Sequence, residues 1–218
     1  MKKISLFLTV LCLVMLSNLA QAQDYNGFGF KAGLNFNNIK YEGDSDMKLG
    51  FHIGGYYTFE VESFRFQPGL SFVQRGAKGS VTTVYTTTDV GGNRISTREV
   101  ESGDVDMILN YLEIPVNISY KVLDFNQGNS ALSIFVEPSL GFCLSGKLKY
   151  EDSSDDFEIG SDDTDDIKTI NFGIKLGASV QVGKFEPYIG YDLGLNDITP
   201  ASQDMMNRGF YLGVAYNL

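Results

Sequence analysis

Polar and apolar residues alternate with a period of two along nearly the whole chain beyond residue 27. From Phe28 to Phe36 the even positions are Phe28, Phe30, Ala32, Leu34 and Phe36, while Gly29, Lys31, Gly33 and Asn35 fill the odd ones. Such alternation puts one class of side chain on each face of an extended strand. Seven further segments read the same way. Their apolar positions run from Leu49 to Val61, Phe64 to Phe72, Leu112 to Tyr120, Leu132 to Leu144, Ile170 to Val182, Phe185 to Leu195, and Phe210 to Leu218. The pattern predicts an all-β chain of eight antiparallel strands.

Short and long connections alternate between these segments. Glu62-Ser63, Gly183-Lys184 and a turn around Asp124 to Asn129 are short. The stretches 38–48, 76–106, 146–169 and 196–208 are long. An up-and-down barrel of the outer-membrane kind has this layout, with short periplasmic turns and long external loops. An even strand number returns both ends of the barrel to the periplasmic side.

Volume decides which face is outside. An eight-stranded barrel has an interior only just wide enough for its side chains. The greasy face is too bulky for it. The opposite face is rich in glycine and serine, such as Gly29, Gly33, Gly54, Ser71, Ser119, Ser139, Gly177 and Gly190. The apolar face should therefore meet lipid. Phe28, Phe59, Phe64, Tyr120, Phe185 and Tyr216 would form one aromatic girdle, and Phe36, Phe51, Phe72, Phe142, Phe172 and Phe210 the other. Lys31, Glu60, Arg65, Arg75, Glu113, Glu137, Lys175, Glu186 and Asp192 fall on the lumen face. Both signs are present, so a plug of paired structural charges is expected and not an open pore. Pro68, Pro115, Pro138 and Pro187 lie inside strands, where each removes a ladder donor; local bulges are expected there.

The N-terminus stands apart from this pattern. Lys2 and Lys3 precede a continuous apolar run from Ile4 to Leu16, and Ala20-Gln21-Ala22 has the small-x-small form of a cleavage site. Residues 1–22 are expected to be a secretory signal peptide and residues 23–218 the barrel domain. The formal charge of −10 would become −12 on losing the two lysines. Of the two cysteines, Cys12 lies within the apolar run and follows Leu11, against a lipidation site; Cys143 alone would remain, and cannot form an internal disulfide. The negative charge disfavours nucleic acid as a partner.

Several strand motifs resemble a known family. Tyr111-Leu112-Glu113-Ile114-Pro115-Val116, Val136-Glu137-Pro138-Ser139-Leu140-Gly141 and the opening Phe28-Gly29-Phe30-Lys31-Ala32-Gly33-Leu34-Asn35 resemble the PorT-like outer-membrane β-barrel proteins of Bacteroidetes. The resemblance spans essentially the whole mature chain. It implies the cell outer membrane as location, with lipid, lipopolysaccharide and the barrel assembly machinery as contacts. It also implies a role as an accessory component of protein secretion for some members. The chain ends on apolar Leu218 where many such barrels end on an aromatic residue.

Residues capable of chemistry are few. His52 is the one histidine and alternates onto the lumen face. A Ser–His hydrolase needs an orienting acid in place, so a small lipid-A-modifying barrel enzyme stands only as an alternative. Cys143 reads as a lumen filler. Asp155, Asp156, Glu158, Asp162, Asp163, Asp165 and Asp166 form an acidic loop that would attract hard cations. Phe157 and Ile159, however, occupy places where an EF-hand needs ligands. A solvated acidic loop is expected, without a metal or cofactor. In the long segment 76–106, Val81 to Thr87 and Arg94 to Val100 flank Gly91-Gly92-Asn93, which predicts a β-arm above the membrane. The leading expectation is a monomeric, non-enzymatic barrel whose surface loops bind a protein partner or support envelope integrity.

Overall fold

The computed structural model describes residues 26–40, 46–88, 95–125, 130–150, 153–160, 162, 164–200 and 205–218, with the backbone alone at 40, 80–88 and 95–102. The expected signal segment, the Gly91-Gly92-Asn93 turn and Asp163 lie outside the described residues. Every described element is a strand. They are β1 (Gly27–Lys40), β2 (Asp46–Val61), β3 (Phe64–Thr88), β4 (Ile95–Phe125), β5 (Ser130–Lys149), the short β6 (Ser154–Asp156), β7 (Ile159–Gly160) and β8 (Ile167–Lys168), then β9 (Ile170–Val182), β10 (Phe185–Gly194) and β11 (Met206–Asn217).

Eight of them close into an antiparallel ring in the order β4-β3-β2-β1-β11-β10-β9-β5, with β5 returning to β4. The seam joins the first and last strands, from Gly29↔Asn217 to Lys40↔Met206. Closure leaves the ring without a free edge. Two of the hairpins turn in two residues each, and the residue that opens each turn, Glu62 (φ 55°) or Gly183 (φ 58°), takes the left-handed backbone that tight hairpins demand.

The alternation sorts the faces as volume requires. Phe28, Phe30, Leu49, Ile53, Leu70, Ile134, Phe172, Ile189, Phe210 and Leu212 are exposed on the outside. An apolar belt of this size is the mark of a lipid-facing surface. Around one rim, outward aromatic rings pair edge-on or tilted: Phe28 with Tyr57, Phe64 with Tyr120, Phe185 with Tyr216. At the other end Phe51 meets Phe72 and Tyr191 meets Phe210.

The lumen is less uniformly small than its glycines suggest. Tyr56, Tyr111, Phe135 and Tyr211 are buried inside it. They fit because glycines on adjacent strands leave the space. A Cβ on Gly29 would collide with the Tyr56 ring, and one on Gly177 would approach Phe135 Cζ to 2.5 Å. Small and large lumen residues thus occupy complementary places across strands.

The prolines do not produce the expected bulges. Register shifts occur between Met47 and His52, Thr83 and Tyr85, Asn110 and Tyr111, and Lys121 and Leu123. At the prolines the ladder skips about two residues and resumes in the same register: Pro68↔Val116 is followed by Ser71↔Glu113, and Pro115↔Ser139 by Ile118↔Val136. Pro187 sits in a similar gap toward β9, between Phe185↔Val182 and Tyr188↔Ser179. A missing donor needs only that its opposite acceptor go unpaired, which is less disruptive than inserting a residue.

Candidate functional site: the lumen and the long-loop end

Inward residues of opposite strands meet across the barrel. Arg65 on β3 grips Glu186 on β10 with two hydrogen bonds of 2.9 Å, Nη1 to Oε2 and Nη2 to Oε1. Its Nη2 also reaches Ser133 Oγ at 3.1 Å, and Ser179 Oγ donates to Glu186 at 2.7 Å. Above this, Lys31 on β1 donates to Glu137 on β5 at 2.9 Å. Lys175 bridges Glu137 at 3.0 Å and Glu113 at 2.8 Å. Arg75 pairs with both Glu113 and Asp192. A continuous chain therefore runs Lys31–Glu137–Lys175–Glu113–Arg75–Asp192 through the middle of the barrel.

All nine lumen charges expected from the alternation are inside, and each has an oppositely charged partner. Three further residues complete the set. Lys121 pairs with Glu60 at the short-turn end, and Lys48 with Asp106 at the long-loop end, 2.7 Å apart. These were hidden because each lies beyond the apolar run that marked its strand. Among the described residues these ion pairs join six cations to six carboxylates, so the paired set is neutral. In a low-dielectric interior an unmatched charge would be costly.

Aromatic and amide groups fill the space between. His52 Nδ1 lies 2.7 Å from Asn35 Oδ1 and its Nε2 2.5 Å from the Tyr188 hydroxyl. Both ring nitrogens are thus used, and no serine takes part. Tyr56 on β2 reaches over β1 to donate to Asn217 Oδ1 on β11 at 2.9 Å. Cys143 is buried and free, packed within the apolar cluster described next.

The long-loop end is closed by side chains that the charge pattern of the loops conceals. Ile167 and Ile198 are buried with Ile39, Ala77, Leu109, Tyr111 and Cys143, and Phe157, Ile159, Met107 and Met205 pack against them. Backbone bonds lock two loops together: Lys168 N donates to Ile198 O at 2.7 Å, and Ile198 N to Met205 O at 2.9 Å. Phe157 N is held by Gly146 O at 2.9 Å. The ring of Tyr111 lies under this cap, 5.5 Å from the Arg75 guanidinium carbon. An apolar lid thus rests on the charged plug.

The acidic loop is consequently two-sided. Asp155, Asp156, Glu158, Asp162 and Asp166 are exposed and Asp165 half-buried, while Phe157, Ile159 and Ile167 turn inward. Two carboxylates cap the loop's own backbone: Asp166 accepts from Glu158 N at 3.0 Å and Asp165 from Asp162 N at 2.7 Å. Among the described residues no group of three acidic, histidine or cysteine side chains converges as metal ligands would. The arm exists in the backbone: β3 and β4 stay paired to Thr88↔Ile95, well past Asp46↔Lys78 and Asp106↔Lys149, where their outer neighbours stop.

Residues 20–199 match a family model described as the outer membrane protein beta-barrel domain. No curated protein matches the chain. Among solved structures it is similar to Ail, the attachment invasion locus protein of Yersinia pestis, at 13% identity and a TM-score of 0.43, covering 89% of this chain and 100% of that one. Neisserial surface protein A is similar at 12% identity and a TM-score of 0.47, with the same coverage. A major outer membrane protein from Thermus thermophilus is similar at 11% identity and a TM-score of 0.42, again covering 89% and 100%.

Proposed function

Because the chain belongs to the outer membrane protein beta-barrel domain family, we propose that it acts as a closed, non-enzymatic barrel whose external loops bind a protein partner. The chain is an outer-membrane protein. One observation carries the reading: the lumen is crossed by charge pairs from wall to wall and lidded by Ile167, Ile198 and their neighbours. A transport route is not built into it. The groups capable of chemistry are bound up in that packing, His52 above all. Among the described residues the carboxylate face of the 153–168 loop is exposed for recognition, and the backbone of the β3–β4 arm runs on past the neighbouring strands.

The strand motifs Tyr111–Val116 and Val136–Gly141 support a narrower kinship with PorT-like barrels, and with it the alternative of an accessory part in secretion. Among the described residues of the lumen and loops, no feature favours that alternative over a general adhesive or envelope-supporting role.

A photo-crosslinking residue at Asp156 on intact cells tests the proposal. A discrete protein adduct is expected there and not from the same residue at lipid-facing Ile189. Equal patterns at both positions would remove the loop from partner binding. Planar-bilayer recording tests the closed lumen separately, and a steady open channel would refute it.

A further inference from the structure

Two strands leave the ring behind. Above Asp46↔Lys78 on one side and Asp106↔Lys149 on the other, β3 and β4 pair only with each other among the described residues, as far as Thr88↔Ile95. A two-stranded ribbon is marginal on its own. Each of its outer edges presents a row of main-chain N–H and C=O groups that no third strand takes up.

The two edges differ. The β4 edge is bulged between Thr83↔Glu101 and Tyr85↔Arg98, where Glu99 and Val100 stand against Val84 alone. Its sequence from Ile95 to Val105 also holds Arg98, Glu99, Glu101 and Asp104. Bulges and charged residues are the usual means of keeping an edge from pairing. The β3 edge has neither device. From Gly79 to Thr88 it contains no charged residue and no proline, and beyond Ser80 it consists only of Val, Thr and Tyr. Those residue types favour strands. One edge of the arm is guarded and the other is left bare.

The bare edge selects an extended polypeptide as its occupant. In an antiparallel ladder alternate residues turn both main-chain groups to the same side, which leaves about five such residues on an edge of this length. Strand addition draws its affinity from bonds of that spacing. An added strand would lie in line with β2, whose uppermost pairs with β3 are Met47↔Ala77 and Asp46↔Lys78, and so would extend a ladder already formed. Antiparallel pairing gives it the direction of β2, with its C-terminal end at Asp46. A second copy in the same membrane fits worse. Its arm points the same way, so β3 could meet β3 only in parallel, the less stable pairing.

We propose that β3 from Gly79 to Thr88 binds an extended, uncharged segment of a protein partner by antiparallel strand addition, while the bulged and charged β4 edge is kept clear. This rests on the partner-binding reading above and supplies its mode of contact. A ten-residue segment, roughly 33 Å long, covers the edge. Recognition runs through the main chain, so it tolerates changes of sequence in the partner that preserve an extended, uncharged strand.

Hydrogen–deuterium exchange of the full barrel in lipid nanodiscs tests this with a synthetic probe. The probe is a decapeptide of alternating Thr and Val with two further lysines at its N-terminus for solubility. It should slow exchange over Gly79–Thr88 several-fold, and its fully N-methylated copy, with the same charge and side chains but no N–H donors, should not. A benzophenone at the probe's C-terminus should form adducts near Asp46 and Lys78. Replacing residues 83–101 by Asn-Gly, which closes the shortened arm with a tight hairpin, should abolish the adducts in protein that still migrates as a folded barrel. No slowing, equal slowing by both peptides, or slowing confined to 95–105 would each overturn strand addition at β3. Adducts that persist in the shortened arm would overturn it too. Barrels in separate nanodiscs that associate through their arms without peptide would make a second copy the occupant and overturn the partner segment. A protein adduct at Asp156 on cells together with no effect of the probe would leave partner binding standing and remove only its strand-addition mode.

Discussion

Arg65 and Glu186 sit on opposite walls of the barrel, and each guanidinium nitrogen Nη1 and Nη2 has its own carboxylate oxygen at 2.9 Å. Both side chains are buried. Forked pairing of this type fixes orientation as well as distance. It ties β3 to β10 across the ring, with β2, β1 and β11 between them.

The pair predicts strongly non-additive mutations. Arg65→Met alone leaves the Glu186 carboxylate buried and should cost about 3–5 kcal/mol. Arg65→Met with Glu186→Met should cost much less, because both desolvated charges are gone. Equilibrium urea unfolding in liposomes of the two singles and the double gives the coupling energy. Additive single costs would mean that the grip contributes no specific interaction.

Tyr56 and Gly29 make the second test. The tyrosine lies over the glycine of the neighbouring strand to reach Asn217 beyond it, so three strands meet at the seam. Gly29→Ala should push the ring aside and cost about 1–3 kcal/mol, as overpacking does. Tyr56→Phe keeps the packing and should cost about 1 kcal/mol for the bond alone. In a Tyr56→Ala background Gly29→Ala should be nearly silent. Heat-modifiable migration on gels, read as a midpoint temperature, distinguishes these cases.

Strand number, face and the nine lumen charges were all legible in the period of two. Burying side chains in a narrow barrel leaves few other arrangements. Three things were not legible. Lys48 and Lys121 lie at strand ends, past the apolar residues that define the period. Tyr56, Tyr188 and Tyr211 read as out of place on a small-residue face until their glycine partners on adjacent strands are known, and that pairing depends on register. Phe157, Ile159 and Ile167 are scattered through the most acidic loop, and local composition there masks three side chains that fold back into the barrel. The prolines misled for a different reason: a lost donor can be absorbed by skipping a pair, which the sequence alone does not distinguish from a bulge.

His52 supplies a test of the non-enzymatic reading. It joins Asn35 on β1 to Tyr188 on β10. His52→Ala should cost about 1–3 kcal/mol by leaving polar partners buried. The lipid A profile of cells expressing the variant should match that of cells expressing the unmodified barrel. A modification present with the parent and lost with His52→Ala, at equal barrel abundance, would assign catalysis to the histidine.

Loop and lid together predict how the external face responds to protease. Ile198 is buried, and its backbone accepts from Lys168 and donates to Met205, so it holds the third and fourth loops against the barrel mouth. Ile198→Asp places a carboxylate in that apolar cluster and should release both loops. The eight-stranded ring does not depend on them, since its ladder closes independently from β4 round to β5. On intact cells, cleavage within 153–168 should therefore rise sharply while folded-barrel abundance stays constant. Gly183-Lys184 should remain uncut in both proteins, because it turns at the opposite end of the barrel from the long loops. Cleavage there in intact cells would reverse the orientation, and unchanged protection of the loops in Ile198→Asp would show that the lid does not hold them.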